Sequence, residues 1–358
     1  MKDKIFELKH FKDFMPLEID IANKELLVYH PVLAPTELKK SIEPSLAEED
    51  LYKHMRDNSN WSFSFAENRE FYKSDCIDFL RDTDFQSFSQ YGKLTNRQYL
   101  KAKRAYLFDS YLRNFLQEIL ERIEIFLKKS TSDAITIGYN KPNYIFEDDD
   151  LYYAEGNKYS KTNPKRTEQV LKTKYHLSRL ILEKKEDSLI QNQINEYGVV
   201  LPWTVFRFMT FGNIASFLVA LQPKYRNKVA DYISMRLKSG HQLPAKLLLS
   251  WCNSLRYLRN LCSHNSRLYQ RFHTTPPKIH HIYKTILNEK SKEILDIEKT
   301  LFVYFLIMKH IVSAMSSETQ KFWQKKLDKL KEESRIKEVE LEYYGFPMDW
   351  YDLLKIQS

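Results

Sequence analysis

Apolar side chains recur three and four residues apart over long parts of the chain. Between residues 95 and 131 two such series interleave: Leu107, Tyr111, Phe115 and Ile119 with Leu112, Leu116, Leu120 and Ile123. Residues at these intervals share one face of an α-helix. The pattern therefore predicts one long helix with a wide apolar face.

Further helices are predicted along the rest of the chain. Residues 168–183 form one, and residues 199–221 are apolar nearly all round, which predicts one buried helix that begins near Pro202. The run 300–315 is also apolar, but it is too short to span a membrane and contains two basic residues, so we expect a core helix. A charged amphipathic helix follows from Ser317.

Glycine is scarce, with seven residues among 358. Sheet-rich folds and phosphate-binding loops use more glycine, whereas stretches rich in Leu, Lys, Glu and Ile favour helix. We expect an all-α fold in three parts. They are an irregular, partly helical N-terminal extension at 1–94, a helical core at 95–316, and a C-terminal amphipathic helix with a tail at 317–358.

Basic side chains exceed acidic ones, 56 against 47, which gives a formal net charge of +9. This excess favours a polyanionic partner such as RNA. Cys76, Cys252 and Cys262 have unrelated spacings, which indicates neither disulfides nor a zinc site. The first ten residues lack the apolar centre of a signal peptide. We therefore expect a cytoplasmic protein without a membrane span.

The stretch 255–272, LRYLRNLCSHNSRLYQRF, contains four arginines, one histidine and no acid. On a continuous helix its polar residues would form one stripe: Arg256, Asn260, His264, Arg267 and Arg271. Its apolar residues would face the core: Leu255, Leu258, Leu261, Cys262, Leu268 and Phe272. Such uncompensated charge predicts an anionic partner. The partner is either an acidic segment of the same chain, such as residues 147–150, or a phosphate group. The geometry of phosphate suits the arginine side chain.

Arg259 lies beside this stripe, five residues before His264. On a straight helix the two side chains point about 140 degrees apart and make a poor pair within one copy. Two copies that meet at a two-fold axis could bring arginine and histidine together. With phosphate, these residue types suit metal-free RNA cleavage, because imidazole transfers protons near neutral pH and arginine stabilises charge in the transition state.

Two further basic runs contain aromatic residues, one between residues 93 and 106 and the other between 158 and 174. Such runs fit contacts with RNA phosphates and stacking on bases, although a solvated surface is an equal alternative. The candidates for RNA binding are Lys101, Lys103, Arg104, Lys165, Arg166, Arg256, Arg267 and Arg271.

No group of residues predicts a metal ion or another cofactor. The acidic segment 147–150 lies in a predicted surface loop, where consecutive carboxylates are usually solvated. His280 and His281 are adjacent and would point apart on a helix, which disfavours a pair of ligands.

Four segments together resemble a known family. RNLCSH, residues 259–264, is similar to the R-x4-H motif of HEPN ribonucleases, and its extended form resembles the abortive-infection (Abi) family of bacterial phage-defence proteins. Three further segments occur in the order of that family: AYLFDSYLRNFLQEILERIEI from Ala105, LPWTVFRFMTFGNIASF from Leu201 and YYGFPMDW from Tyr343. The resemblance spans residues 105–350.

The resemblance implies a HEPN-like helical bundle, a composite active site in a homodimer or higher oligomer, and toxin-like ribonuclease activity. By motif position, Arg259 and His264 would be the catalytic pair, and Asn260 the polar residue that follows the arginine. Some relatives work with a small RNA, so a small regulatory RNA is a further partner that the resemblance implies. The chain departs from the family at Arg207, where the segment W-x-x-x-E-x-x-S-F-G often has glutamate. The chain therefore lacks a carboxylate that could orient the catalytic arginine.

Two other functions fit the same residues. A non-catalytic RNA-binding protein would hold a structured small RNA on its cationic face, and a helical interaction scaffold would bind no RNA. Both RNA-dependent functions predict salt-sensitive binding, but only the nuclease predicts new RNA ends.

Overall fold

A computed structural model describes residues 45–63, 69–137, 146–148, 150–152, 164–237 and 240–356, and the backbone of 19–20 and 25–26. The helices in these parts are α1 (Glu48–Asp57), α2 (Arg69–Arg81), α3 (Phe85–Leu94), α4 (Tyr99–Thr136), α5 (Pro164–Glu183), α6 (Ser188–Tyr197), α7 (Pro202–Phe208), α8 (Phe211–Ala220), α9 (Pro223–Ser234), α10 (Ala245–Ser263), α11 (His281–Lys290), α12 (Leu301–Ser313), α13 (Ser317–Ile336) and α14 (Trp350–Leu354). Short 3-10 helices span Ile297–Lys299 and Leu341–Tyr344. Two-residue strands, β1 (Ile19–Asp20) and β2 (Glu25–Leu26), pair antiparallel, with Ile19 opposite Leu26. The fold is all-α, as predicted.

The 38-residue helix α4 is the centre of the fold and confirms the long helix that the periodicity predicted. It packs against α3, α7, α9, α10, α12 and α13. Phe115, Leu116 and Ile119 are among its fully buried side chains, whereas Leu107 is 42% exposed and lies outside the predicted apolar face. A helix with neighbours on several sides can bury more than one stripe of side chains, which explains why both series of apolar residues were visible in the sequence.

The apolar run 199–221 forms two helices, so the single helix predicted there is wrong. Pro202 occupies the first turn of α7, as predicted, but that helix ends at Phe208. Thr210 then caps α8: its Oγ1 accepts a hydrogen bond from the Asn213 backbone N–H at 3.2 Å, and Asn213 Oδ1 accepts one from the Thr210 N–H at 2.8 Å. This reciprocal cap begins a new helix within a continuously apolar sequence.

The described part of the N-terminal extension is more regular than predicted, because residues 48–94 contain three helices. Aromatic rings connect them to α4. Trp61 stacks on Phe88 with ring centroids 5.2 Å apart, and Phe88 and Tyr91 meet Tyr106 edge-on at 6.0 and 5.4 Å. The boundaries at residues 94 and 316 stay predictions.

The C-terminal segments complete the core. Helix α12 is buried on nearly all sides, and α13 is the predicted amphipathic helix, with Trp323, Leu327 and Leu330 buried. Trp323 donates its indole N–H to the Leu354 carbonyl of α14 at 3.0 Å. Within the described residues, the helices are all too short or too polar to cross a membrane.

Candidate active site

Helix α10 positions the R-x4-H motif. Its inner face is buried through residues such as Trp251, Leu255, Leu258 and Cys262, and it packs against α4, α8, α9 and α12. Burial raises the pKa of the Cys262 thiol to about 12, so this side chain stays protonated. The helix is therefore fixed by a large apolar contact on one side, and its other side is open.

The helix ends at Ser263, so the continuous helix predicted over 255–272 is wrong. His264 follows the last helical residue and donates its backbone N–H to the Asn260 carbonyl at 3.0 Å. Asn265 then adopts a left-handed conformation with φ of 51°. Leu268 is buried as predicted, but Phe272 is 54% exposed and does not face the core.

The exposed side of α10 carries the predicted catalytic residues. Arg256, Arg259, Asn260 and His264 are all exposed. Within the part of the chain that the structure describes, the side chains of Arg256, Arg259 and His264 form no hydrogen bond or ion pair. The Arg256 side chain lies against the start of α8, where its Cδ would be 3.5 Å from a Cβ placed on Gly212. Among the described residues, this face is therefore a cationic surface whose arginines form no ion pair.

Arg267 and Arg271 do not extend that face, because they lie in the loop after α10. Arg267 Nη1 donates to the backbone carbonyls of Tyr269 and Gln270. Arg271 donates to the Arg267 carbonyl at 3.1 Å and to the Tyr257 hydroxyl at 3.3 Å. Burial lowers the pKa of Arg267. The prediction of one stripe from Arg256 to Arg271 is therefore wrong, because the stripe ends at His264. Arg267 and Arg271 instead donate hydrogen bonds to carbonyl groups of their own loop.

Neither arginine pairs with the described part of the acidic segment. Asp150 accepts hydrogen bonds from Lys224 and, at 3.1 Å, from the Tyr225 hydroxyl. The ammonium group of Lys224 lowers the pKa of this carboxyl, and the Tyr225 hydroxyl adds to the effect. Asp149 lies outside the described residues. Pairing of the motif arginines with this segment is therefore not observed in the described residues, and a phosphate partner stays a prediction.

A buried carboxylate on α4 holds the loop that follows the motif. Asp109 is fully buried and accepts hydrogen bonds from the hydroxyls of Tyr91 and Tyr344 at 2.7 and 2.6 Å. It also accepts the backbone N–H groups of Leu268 and Tyr269 at 2.5 and 3.1 Å. Burial raises the pKa of Asp109 in spite of these four donors. One side chain thus connects α3, α4, the motif loop and the C-terminal segment.

Arg113, one turn further along α4, adds a second connection. It is 5% exposed, its Nη1 lies 3.9 Å from Asp109 Oδ2, and it donates to the Ser266 carbonyl at 3.4 Å. Sequence reasoning missed both residues. The available signal was an aspartate at a position where the apolar periodicity of α4 predicts burial, since a buried acid needs several donors.

The other predicted RNA-binding residues lie on α4 and α5, and two of them have acidic partners. Lys103 donates to Asp75 at 2.6 Å, and Arg104 pairs with Glu338 at 2.5 Å. Lys101 is exposed. Lys165 and Arg166 lie in the first turn of α5, and their side chains are outside the described residues. RNA binding by these five residues stays a prediction.

Two adjacent histidines lie closer together than the sequence predicted. His280 caps α11 and His281 is its first residue, and their ring centroids are 4.4 Å apart, so the prediction that they point apart is wrong. Both nitrogens of His280 are occupied, Nε2 by the Gln242 carbonyl at 2.9 Å and Nδ1 by the Ile282 N–H at 3.4 Å. In the described residues, no three side chains of His, Cys, Asp or Glu are placed to hold a metal ion.

The fold and site define an all-α protein with an exposed arginine and histidine surface at the end of a core helix. The sequence model of the Abi-like protein family matches residues 69–270, which is more than half of the chain. The chain belongs to this family, and the abortive-infection resemblance is confirmed. The match extends from α2 to the loop after α10 and so begins inside the predicted N-terminal extension. Neither the curated proteins nor the solved structures contain a match.

Proposed function

We propose that the protein is a metal-independent endoribonuclease that acts as a toxin-like effector in abortive-infection phage defence. Membership of the Abi-like family fits a defence role. The observation that supports the nuclease is the exposed face of α10, where Arg256, Arg259, Asn260 and His264 lie without an acidic partner among the described residues. A phosphate is the anion that such arginines bind well.

The chemistry would follow from histidine, arginine and the RNA itself. An imidazole of His264 accepts the proton of a ribose 2'-hydroxyl, and the 2'-oxygen attacks the adjacent phosphorus. The bond from phosphorus to the 5'-oxygen breaks, and the imidazolium of His264 returns the proton to this leaving oxygen. The products are a 2',3'-cyclic phosphate and a 5'-hydroxyl end. Arg259 stabilises the charge that develops on the phosphoryl oxygens. DNA lacks the 2'-hydroxyl and is not a substrate.

A dimer would complete this site. Arg259 and His264 are five residues apart, and His264 lies just beyond the end of α10, so the two side chains project in different directions from one helix. Two α10 ends that meet at a two-fold axis would place Arg259 of each copy opposite His264 of the other. The exposed side of α10 leaves room for such an approach.

The alternative function is a non-catalytic RNA-binding protein that holds a structured small RNA. The same cationic face supports it, because arginines bind phosphate whether or not a reaction follows. Cleavage distinguishes the two functions, and binding does not.

The test is cleavage of end-labelled RNA by the purified protein in EDTA, with the product ends identified. The wild-type chain is compared with Arg259→Ala, His264→Ala and the control His176→Ala, which removes an exposed histidine from α5. We expect cyclic phosphate ends from the wild type and the control, and a loss of about 100-fold or more in each motif variant. RNA that stays intact but shifts in a gel would contradict the nuclease and support the binding protein.

A further inference from the structure

A second surface combines an aromatic ring with a cation. A groove between α4 and α7, which we call the Trp203 groove, has a volume of 310 Å³ and is lined by residues that include Ile125, Lys129, Ser132, Trp203 and Arg207. Pockets of roughly 300–1,000 Å³ hold small organic ligands. Ile125 and Trp203 are 58% and 49% exposed, so the groove offers apolar surface to solvent.

Trp203 is the exception among the tryptophans. The chain has five, and the other four, Trp61, Trp251, Trp323 and Trp350, are at most 8% exposed. The amphipathic ring of tryptophan costs free energy when half of it faces water, and it is a surface on which other flat groups stack. Its position four residues before Arg207 places both side chains on the same face of α7.

The charges in the groove leave Arg207 uncompensated. Lys129 is paired with Asp133 at 2.6 Å, and Asp133 also accepts the Tyr232 hydroxyl at 2.7 Å. The neighbouring Lys128 pairs with Glu124 at 2.7 Å. Arg207 is exposed and its guanidinium lies 5.8 Å from the ring centre of Phe208, and within the described residues it forms no ion pair with a carboxylate. The groove therefore presents one aromatic face and one free guanidinium.

A buried hydroxyl supports the presence of a ligand. Ser132 lines the groove and is 3% exposed, and its Oγ has no hydrogen-bond partner among the described residues. A buried hydroxyl without a partner is costly and usually finds a ligand or water.

We propose that the Trp203 groove binds single-stranded RNA, with one base stacked on Trp203 and the adjacent phosphate bound by Arg207. Stacking on aromatic rings together with arginine contacts is the general mode of single-strand binding. A base inside a duplex is already stacked on both sides and cannot enter a groove of this size. The choice of RNA rather than DNA rests on the proposed function.

Chain connectivity limits the distance between the groove and α10. Arg207 precedes Gly212 by five residues, and the Arg256 side chain lies against Gly212. Five residues span at most about 18 Å of chain, which limits the distance from Arg207 to the Arg256 side chain to the length of a few nucleotides. A strand that extends a few nucleotides beyond Trp203 would be long enough to cover this distance.

Binding is tested with the full chain carrying His264→Ala, so that RNA is not consumed. The probes are a fluorescein-labelled 12-nucleotide oligouridylate and a labelled RNA duplex of equal length, both followed by anisotropy. The added variants are Trp203→Ala, Trp203→Phe and Arg207→Glu. The matched controls are Tyr175→Ala, which removes an aromatic residue that is 61% exposed on α5, and Arg335→Glu, which makes the same charge change on exposed surface of α13.

We expect Trp203→Ala to weaken binding of the single strand about tenfold and Trp203→Phe to retain most of it. Arg207→Glu weakens binding and makes it less dependent on salt. The controls bind normally, and the duplex binds weakly to every form. Because Trp203 is the exposed tryptophan, bound oligouridylate also quenches part of the intrinsic fluorescence, and Trp203→Phe removes this quenching. The Phe variant keeps the test valid if the Ala variant fails to fold.

Failure of this inference is separate from failure of the proposed nuclease. Equal binding by Trp203→Ala, Arg207→Glu and the controls, absence of quenching, or no binding of the single strand would overturn the groove even if the wild type cleaves RNA. An effect of Trp203→Ala without any effect of Arg207→Glu would overturn it too, because it would indicate an apolar partner. Loss of binding in the groove variants, with no cleavage by the wild type, would keep the groove and remove the nuclease.

Discussion

At the scale of single residues, the Asp109 carboxylate connects three distant parts of the chain. It accepts the hydroxyls of Tyr91 and Tyr344 and two backbone N–H groups of the loop after α10. Asp109→Asn keeps the volume but directs an amide N–H at one of these donors. We expect the free energy of unfolding to fall by about 2–4 kcal/mol, because buried hydrogen bonds are lost and a buried donor is left unpaired. Urea denaturation of the wild type and of Asp109→Asn measures this difference in the free energy of unfolding.

Asp78→Asn is the control for this prediction. The Asp78 side chain is 77% exposed and, among the described residues, pairs with Arg81 three residues further along the helix, so its replacement should change the free energy of unfolding by less than about 0.5 kcal/mol. Equal stability of the Asp109 and Asp78 variants would contradict the role of Asp109.

Two buried histidines make stability depend on pH. Burial lowers the pKa of His273 to about 3, with a smaller effect from the nearby Arg271, and burial lowers the pKa of His310 to about 3, with neighbouring cationic groups contributing. In the unfolded chain a histidine takes up a proton near pH 6.5. Between these two pH values the unfolded state binds more protons, so stability falls as the pH falls from about 6.5.

When the pH is lowered from 7 to 5, we expect each of the two histidines to lower the free energy of unfolding by roughly 2 kcal/mol. The measurement is urea denaturation at both pH values for the wild type, His273→Asn and His310→Asn. Each variant should lose less stability on acidification than the wild type, whereas His176→Asn, at an exposed position, should lose the same amount. Parallel losses in all four proteins would show that the buried rings do not titrate in this way.

At the scale of elements, the sequence predicted long periodic helices well and their ends poorly. Helices α4, α12 and α13 were predicted because their apolar spacing persists over many turns. The end of α10 at Ser263 was missed because neither glycine nor proline follows it directly, and the left-handed position is occupied by Asn265. The loop there is held by Asp109, 159 residues away from Leu268. A contact of that separation leaves no local mark in the sequence.

The candidate site also contains residues whose positions could be predicted from the sequence and residues whose positions could not. The exposure of Arg259 and His264 follows from the helical spacing of their apolar neighbours, and the structure places both on the surface. The positions of Arg267 and Arg271 do not follow, because their partners are carbonyl groups that become available only where the chain leaves the helix. Sequence spacing therefore predicts a site on a helix and fails beyond the helix end.

The turn after the 3-10 helix Leu341–Tyr344 offers a test of an element boundary. Gly345 has φ of 82°, and a Cβ there would lie 2.2 Å from the Thr300 side chain. Gly198 has φ of 70° at the end of α6, with open space around it. Gly345→Ala should therefore lower the free energy of unfolding by about 2–5 kcal/mol, through backbone strain and overpacking. Gly198→Ala should cost only about 1–2 kcal/mol from strain. Equal urea midpoints for the two variants would mean that Thr300 moves aside freely.

At the scale of the whole molecule, the proposed nuclease depends on which copy supplies each catalytic side chain. In the two-fold arrangement, Arg259 of one protomer faces His264 of the other, so each dimer of the 43.0 kDa chain contains two equivalent sites. An arrangement within one protomer would need no partner. Light scattering can establish the dimer, but it cannot separate these two arrangements.

Heterodimers isolated through two different affinity tags can separate them. A dimer of Arg259→Ala with His264→Ala keeps one complete site if the pair forms between protomers, and we expect about half of the wild-type cleavage rate. A dimer of the wild type with the double variant Arg259→Ala/His264→Ala then keeps no complete site and should be inactive. If each pair instead forms within one protomer, the first heterodimer is inactive and the second retains half of the activity. The heterodimer that is active in one arrangement is inactive in the other. A partly folded preparation would lower the activity of a single sample and cannot imitate either result.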